Sequence, residues 1–287
     1  MRNLLPILTV LLVITGLWYL AAMRMNATWV YDQAARAGQV VTLADVLPQT
    51  LNQERPVLPA PHQVAKGLWE GVAGQKVTSK RSLVYHGWIT LSATLLGFAF
   101  GSAAGILLAV GIVYNRAMDM SVMPWAIASQ TIPILAIAPM IIVVLNSMGV
   151  TGLVPKAIIS AYLSFFPVVV GMVKGLRSPD AMQLDLLRTY SASGLATFGK
   201  LRLPSSMPYL FASLKVGVAA SLVGTIVGEL PTGAVAGLGS RLLSGSYYGQ
   251  TVQIWAALFA AALLAASLVG IIGMIERMTL KRMGLLR

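Results

Sequence analysis

Long hydrophobic runs alternate with short polar stretches along the chain. Leu4 to Met23, Trp88 to Val113, Val122 to Leu145, Ala157 to Val173, Tyr209 to Gly228 and Val252 to Ile275 carry no charge apart from Lys215 in the fifth. Leu153 to Lys156 extends the fourth run, and a membrane helix needs about 20 such residues to cross a ~30 Å hydrocarbon core. The pattern predicts an all-α membrane protein with six transmembrane helices. A cleaved signal sequence is the rival reading of the first run. That run exceeds the usual ~7–15-residue signal core, and AAM at residues 21–23 is a poor cleavage site, so it is read as a retained helix.

The predicted layout is a first transmembrane helix at 1–23, an external segment at 24–85 and a five-helix core at 86–287. Within the external segment, the turn at Leu58-Pro59-Ala60-Pro61 precedes a short interfacial helix from His62 to Gly71. His62 and His86 have no third ligand nearby in sequence and read as interfacial polar residues, not a metal site. Gly97, Gly101, Gly105 and Ala109 recur every four residues in the second run. Such a stripe lets two membrane helices approach closely, because these helices associate through packing. Asn115-Arg116 and Asp119 are read as a polar turn. The third run contains Pro124, Pro133 and Pro139 around Gln130-Thr131, which predicts a kinked or interrupted helix lining a path. Ser221, Thr225 and Glu229 follow at i, i+4 and i+8, so they share one face. They are read, with Gln130, Thr131 and Pro133, as a lining toward a cavity or a partner subunit. Pro231 to Gly249, including GLGS at 237–240, is read as a flexible Gly- and Ser-rich loop.

Composition narrows the class. The chain of 287 residues is 57% hydrophobic and 10% charged and lacks cysteine, which excludes disulfides and thiolate chemistry. The absence of ~10-residue alternating segments argues against an outer-membrane barrel. The net charge of +12 invites a nucleic-acid reading. In a membrane chain, however, Lys and Arg gather at cytoplasmic ends. Arg2, Arg116, Lys174, Arg177, Arg188, Lys200, Arg202 and the basic tail fall on one side, against Lys156 and Arg241 in the short loops opposite. Both termini and the loop 178–204 are therefore expected to be cytoplasmic. Glu229 and Lys215 are the only ionisable candidates within the spans, and both lie near span ends. That gives little with which to couple to an ion gradient, and argues against a stand-alone channel or secondary carrier.

Ser178 to Pro204 is amphipathic where its neighbours are apolar all round. Ser178 suits an N-cap with Pro179 at N1, and Met182, Leu186 and Leu187 lie roughly on one face. Gly194 to Lys200 matches GxxxxGK, but Leu201 replaces the Ser or Thr of a phosphate loop and no strand precedes it. The stretch resembles the EAA loop of bacterial ABC importer permeases. Asp185-Leu186-Leu187-Arg188 stands in the E-A-A-R place, followed by Thr189 to Ser193, with Ser191 where that pattern has Gly, then Ala192 and Ser193. Phe198 and Leu201-Arg202-Leu203-Pro204 complete it. The segments LPAPHQV, the Pro133–Pro139 pattern, SFFPVVVGMVKGL and GEL…GLG are similar to the nitrate/sulfonate/taurine/bicarbonate branch of that family.

The resemblance implies a type I ABC importer permease fold in the bacterial inner membrane, not an enzyme and with no cofactor of its own. It implies a second permease copy or paralogue, two ATPase subunits that bind ATP and Mg, and a periplasmic solute-binding protein. The EAA helix is then expected to dock on the ATPase. The implied cargo is a small sulfonate-, taurine- or nitrate-like anion, with a thiamine-pyrimidine precursor or other small heterocycle as the alternative. The Gly normally found at position 191 permits a tight turn, and Ser191 is expected to make it without positive φ or to rearrange it.

Overall fold

The computed structural model describes residues 4–40, 42–230 and 236–285, and its elements there are all helical. They are α1 (Leu4–Arg36), α2 (Leu43–Leu51), α3 (Pro61–Val72), α4 (Leu83–Tyr114), α5 (Arg116–Ser129), α6 (Ile134–Ser147), α7 (Leu153–Leu176), α8 (Ala181–Thr189), α9 (Gly194–Thr197), α10 (Leu203–Glu229), α11 (Leu238–Tyr247) and α12 (Thr251–Arg282). A π-helical turn, Phe198–Arg202, joins α9 to α10. Five stretches are long and apolar enough to cross a membrane: α1, α4, α7, Gly194–Glu229 and α12. The pair α5 and α6, bent by 99° at its break, makes a sixth if taken as one span.

The break falls where one of the three prolines demands it. Pro133 has no N–H to donate and disfavours helical geometry at Ile132, so the chain restarts with Pro133 as the N-cap of α6. Pro124 and Pro139 stay inside their helices. The polar turn at 115–119 is reduced to one residue: Asn115 caps α5, its Oδ1 accepting from the Ala117 N–H at 2.9 Å.

The chain forms two compact units. One comprises residues 1–87 and 240–261. In it α1 runs beyond Met23 to Arg36. The reason lies in Asn26, which is fully buried and donates to the carbonyls of Thr50 and Leu58 at 3.0 and 2.9 Å. Its Oδ1 accepts from the Val57 N–H at 2.9 Å. One amide thereby holds the segment after α2 against the second half of α1. Trp18 stacks on Phe259 with ring centroids 5.9 Å apart and donates from Nε1 to the Pro59 carbonyl. The interfacial helix expected from His62 is α3, closed at its start by Gln63, whose Oε1 accepts from the Ala60 N–H. His62 Nδ1 lies 3.2 Å from the Tyr19 hydroxyl, and among the described residues no cluster of three His, Cys, Asp or Glu could hold a metal.

The other unit comprises residues 88–239 and 262–287. Its centre is the antiparallel pair α7 and α10, with α4 laid against α7. A Cβ at Gly97 would stand 2.5 Å from the Ala157 carbonyl oxygen, one at Gly105 2.9 Å from that of Phe165, and one at Gly101 would overlap Ser164 Oγ. The glycine stripe is therefore where the α4 backbone meets α7. Gly171 and Gly175 do the same for α7 against Ser213 and Ser206 of α10. Ala109, Ile112, Val169, Met172 and Leu176 close the end of this packing nearest residue 178.

Candidate functional site

The segment 178–204 is built to project. Ser178 does not cap the following helix. Its Oγ donates back to the Gly175 carbonyl at 2.7 Å, which closes α7, and the N-cap of α8 is Asp180. Gln183 Oε1 accepts from the Asp180 N–H. On α8, Asp185 and Arg188 form an exposed ion pair at 2.8 Å. Met182 is 77% exposed and Leu186 57%, whereas Leu187 turns inward and is half-buried, so the expected apolar face divides.

The turn after α8 corrects the expectation for Ser191. It adopts φ +53°. Around it the Ser191 N–H donates to the Arg188 carbonyl at 2.9 Å and the Ala192 N–H to that of Leu187 at 3.0 Å. This is the double closure of a Schellman motif, which asks for a left-handed residue at Ser191's position whatever its side chain. Ser193 then caps α9, its Oγ accepting from the Ala196 N–H at 3.2 Å. The GxxxxGK match bridges α9 and the π turn, with nothing around Gly194 or Gly199 for a Cβ to meet.

The far end of the segment is fastened. Phe198 and Leu203 pack on the Ala109–Leu176 cluster, and the Phe198 ring lies edge-on to Tyr114 at 6.1 Å. Arg202 donates to the Leu176 carbonyl at 2.9 Å and sits 5.7 Å over the Tyr114 ring. Pro204 follows directly on the π turn within the continuous helical run Gly194–Glu229, and having no N–H it donates no bond to the turn before it. An exposed helix is thus tied at both ends to the membrane-spanning helices.

The residues read as a path lining fall into two sets, which the structure does not bring together. Gln130, Thr131 and Pro133 are exposed at the α5–α6 break. Ser221, Thr225 and Glu229 are buried and face protein, not an open cavity. Ser221 Oγ donates to the Thr94 carbonyl at 2.9 Å, and Ser160 Oγ donates to the Ser221 carbonyl at 2.9 Å. Thr94 Oγ1 lies 3.0 Å from Thr225 Oγ1. Thr90 Oγ1 lies 3.0 Å from both Glu229 oxygens. Lys156 Nζ is 3.5 Å from Glu229 Oε1, and the Gly239 N–H donates to Oε2 at 2.9 Å.

This seam joins α4, α7 and α10, and it also shapes the start of α11. A Cβ at Gly237 would collide with the Glu229 carboxylate, and its φ of +136° suits glycine alone. GLGS is therefore not a flexible turn. Residues 231–235 lie outside the described residues, and the remainder of the expected loop is largely α11. Thr90, Thr94 and Ser160 escaped the sequence reading, which treats Lys156 only as a loop charge. The available signal was that Thr90 and Thr94 precede Gly97 and Gly101 at helical spacing, on the same stripe.

Residues 101–283 match the family of binding-protein-dependent transport system inner membrane components. The chain belongs to that family. It is similar to a riboflavin transport system permease protein of Chloroflexus aurantiacus, 28% identical over 78% of this chain and 80% of the relative. It is 31% identical to a formylaminopyrimidine transport permease protein of Halalkalibacterium halodurans, over 64% of this chain and 70% of the relative. A putative aliphatic sulfonates transport permease protein of Bacillus subtilis is 23% identical over 68% of this chain and 69% of the relative. The chain is thus an ABC transporter permease, a multi-pass inner membrane protein of a system that works with an ATPase and a solute-binding protein. The family match covers the glycine contacts at 101 and 105, the seam on α7 and α10, and the whole projecting segment.

Proposed function

We propose that this permease forms the translocation path of an ATP-driven importer and that α8, with the Schellman turn after it, docks on a separate ATPase subunit. ATP and Mg belong to that subunit. The observation that carries this is the contrast within one segment. Met182, Leu186, Tyr190 and Leu195 are apolar or aromatic and mostly exposed, while Phe198, Arg202 and Leu203 bind the segment to the spans. An exposed apolar helix face with charged flanks fits a groove in a partner, and a fastened base transmits movement of that helix to α7 and α10. The working assembly is two permease chains, identical or paralogous, with two ATPases and a periplasmic binding protein. Both termini and residues 178–204 face the cytoplasm. Reversing the charge at Asp185 should leave the permease folded and abolish transport-coupled ATPase stimulation in reconstituted vesicles. Normal stimulation and uptake by that variant would remove the docking role.

For the cargo, we favour a small neutral heterocycle over an oxyanion. The support is electrostatic: two lysines that reach into the packed spans, Lys156 and Lys215, are already engaged. Lys156 is held by Glu229 and the Ala236 carbonyl, and Lys215 by Glu276. Gln130 and Thr131, exposed at the α5–α6 break, offer hydrogen bonds without charge. Two of the relatives named above carry heterocycles in their names. The sulfonate reading stands second, on the aliphatic sulfonates relative. Thermal shift of the cognate binding protein against riboflavin, formylaminopyrimidine, taurine and nitrate discriminates between them. Stabilisation by taurine or nitrate alone would overturn the heterocycle reading.

A further inference from the structure

A cavity of about 630 Å³ lies within the unit formed by residues 1–87 and 240–261. Arg55, Arg81 and Arg241 line it together with Gln75, Gln250 and Gln253. Its frame is rigid. A Cβ at Gly67 of α3 would stand 3.0 Å from Val252 of α12, and one at Gly71 would stand 2.6 Å from Leu83 of α4. Three helices therefore meet at its wall, where Val252 and Leu83 pack against those two glycines.

Three arginines share this cavity with two glutamates, which leaves it one positive charge in excess. None of the ion pairs among the described residues involves Arg55, Arg81 or Arg241. Glu54 and Glu70 also line the cavity, but Glu70 is paired with Lys66. The Arg241 Nε is buried and has no hydrogen-bond partner. Burial first, and then the charge of Arg81, pushes the Arg241 guanidinium below its ordinary value. A guanidinium does not shed its proton in a protein, so the charge stays, with no carboxylate at ion-pair distance among the described residues. The first turn of α12 adds the positive end of a helix dipole through Gln253.

We propose that this cavity is a binding site for a phosphate group, held by Arg81 and Arg241 with Arg55 and the three glutamines around them. Arginine presents paired N–H groups that match phosphate oxygens; Arg241 is half-buried in the cavity wall, whereas Arg55 and Arg81 are exposed at its rim. The phosphate comes either from an anionic phospholipid headgroup or from solution. With the termini cytoplasmic, the site lies at the outer face. It does not depend on which solute the transporter carries.

The test uses the full chain purified in a zwitterionic detergent. Its unfolding midpoint is followed during titration with inorganic phosphate and, separately, with short-chain phosphatidylglycerol; phosphatidylcholine of the same chain length is the control. Saturable stabilisation by phosphate or phosphatidylglycerol but not phosphatidylcholine is expected. Stabilisation by phosphatidylglycerol alone identifies the headgroup, and stabilisation by inorganic phosphate identifies a soluble anion. Arg241→Gln and Arg81→Gln should each weaken binding roughly tenfold or more, as loss of a charge-assisted pair predicts. Lys76→Gln, an exposed change in the neighbouring loop, should leave it unchanged. No saturable effect of either ligand, or equal weakening by Lys76→Gln, overturns the site. Should an arginine variant fail to fold, phenylglyoxal labelling of the wild-type chain decides: the ligand must protect Arg241 and Arg81, and undiminished labelling at saturation refutes the proposal.

Discussion

The buried seam and the projecting segment use similar residues for opposite ends. In the seam, Thr90, Thr94, Ser160, Ser221, Thr225 and Glu229 are all buried and bond across helices. In the segment, Asp185 and Arg188 bond only to each other at the surface, and Met182 and Leu186 face outward. A polar group in the membrane interior has no water to fall back on, so it must find protein. A surface helix has no such obligation and can hold side chains in reserve for a partner. The difference separates residues that hold the permease together from residues offered to something else.

That separation can be broken by experiment, and the largest effect belongs to the seam. Glu229→Ala removes the acceptor of Lys156, Thr90 and the Gly239 N–H and leaves Lys156 charged and little exposed. Breaking a buried pair this way costs about 3–5 kcal/mol. The purified chain should unfold at markedly lower temperature, and adding Lys156→Met should recover part of the loss. An unchanged midpoint would mean the seam is not structural.

Next comes Gly101→Leu. The added side chain meets Ser164 and the Ala161 backbone, and overpacking costs about 1–3 kcal/mol or more where backbone cannot yield. Yield of monodisperse protein after gel filtration should fall sharply, while the same change at Gly270, whose Cβ meets nothing, should be tolerated. Ser191→Gly acts in the other direction. It relieves the strain of φ +53° and should stabilise by at most about 1 kcal/mol, with transport retained; a clear destabilisation in unfolding experiments would show that the Ser191 side chain matters to the turn.

The smallest stability effect is expected at Leu186→Ser, within about 0.5 kcal/mol for an exposed site. The same variant should lose most transport-coupled ATPase stimulation. If it instead destabilised the permease as Glu229→Ala does, the contrast between the two regions would collapse.

How much of this was readable beforehand follows from the physics of each element. The Gly97–Gly101–Gly105 stripe was legible because helical period alone puts small residues on one line. The break at Pro133 was legible because proline's missing donor acts locally. The lining role assigned to Ser221, Thr225 and Glu229 was not secure for a matching reason. Periodicity tells which residues share a face but not whether that face meets water or Thr90 and Thr94, residues more than a hundred positions away. Asn26 carries no local signal at all, since its partners at residues 50, 57 and 58 come from a distant turn.

The sequence by itself determined the number of long apolar runs, the small-residue line along α4, the interruption between α5 and α6 and the amphipathic character of 178–204. Each depends on residues within a few turns of one another. The tertiary structure alone decided that Glu229 is buried and tied to Lys156, Thr90 and Gly239, that Ser191 takes the left-handed turn, that GLGS opens a helix against a carboxylate, and that Arg81 and Arg241 meet across one cavity. Those outcomes depend on which distant backbone a side chain finds, and only the assembled helices supply that partner.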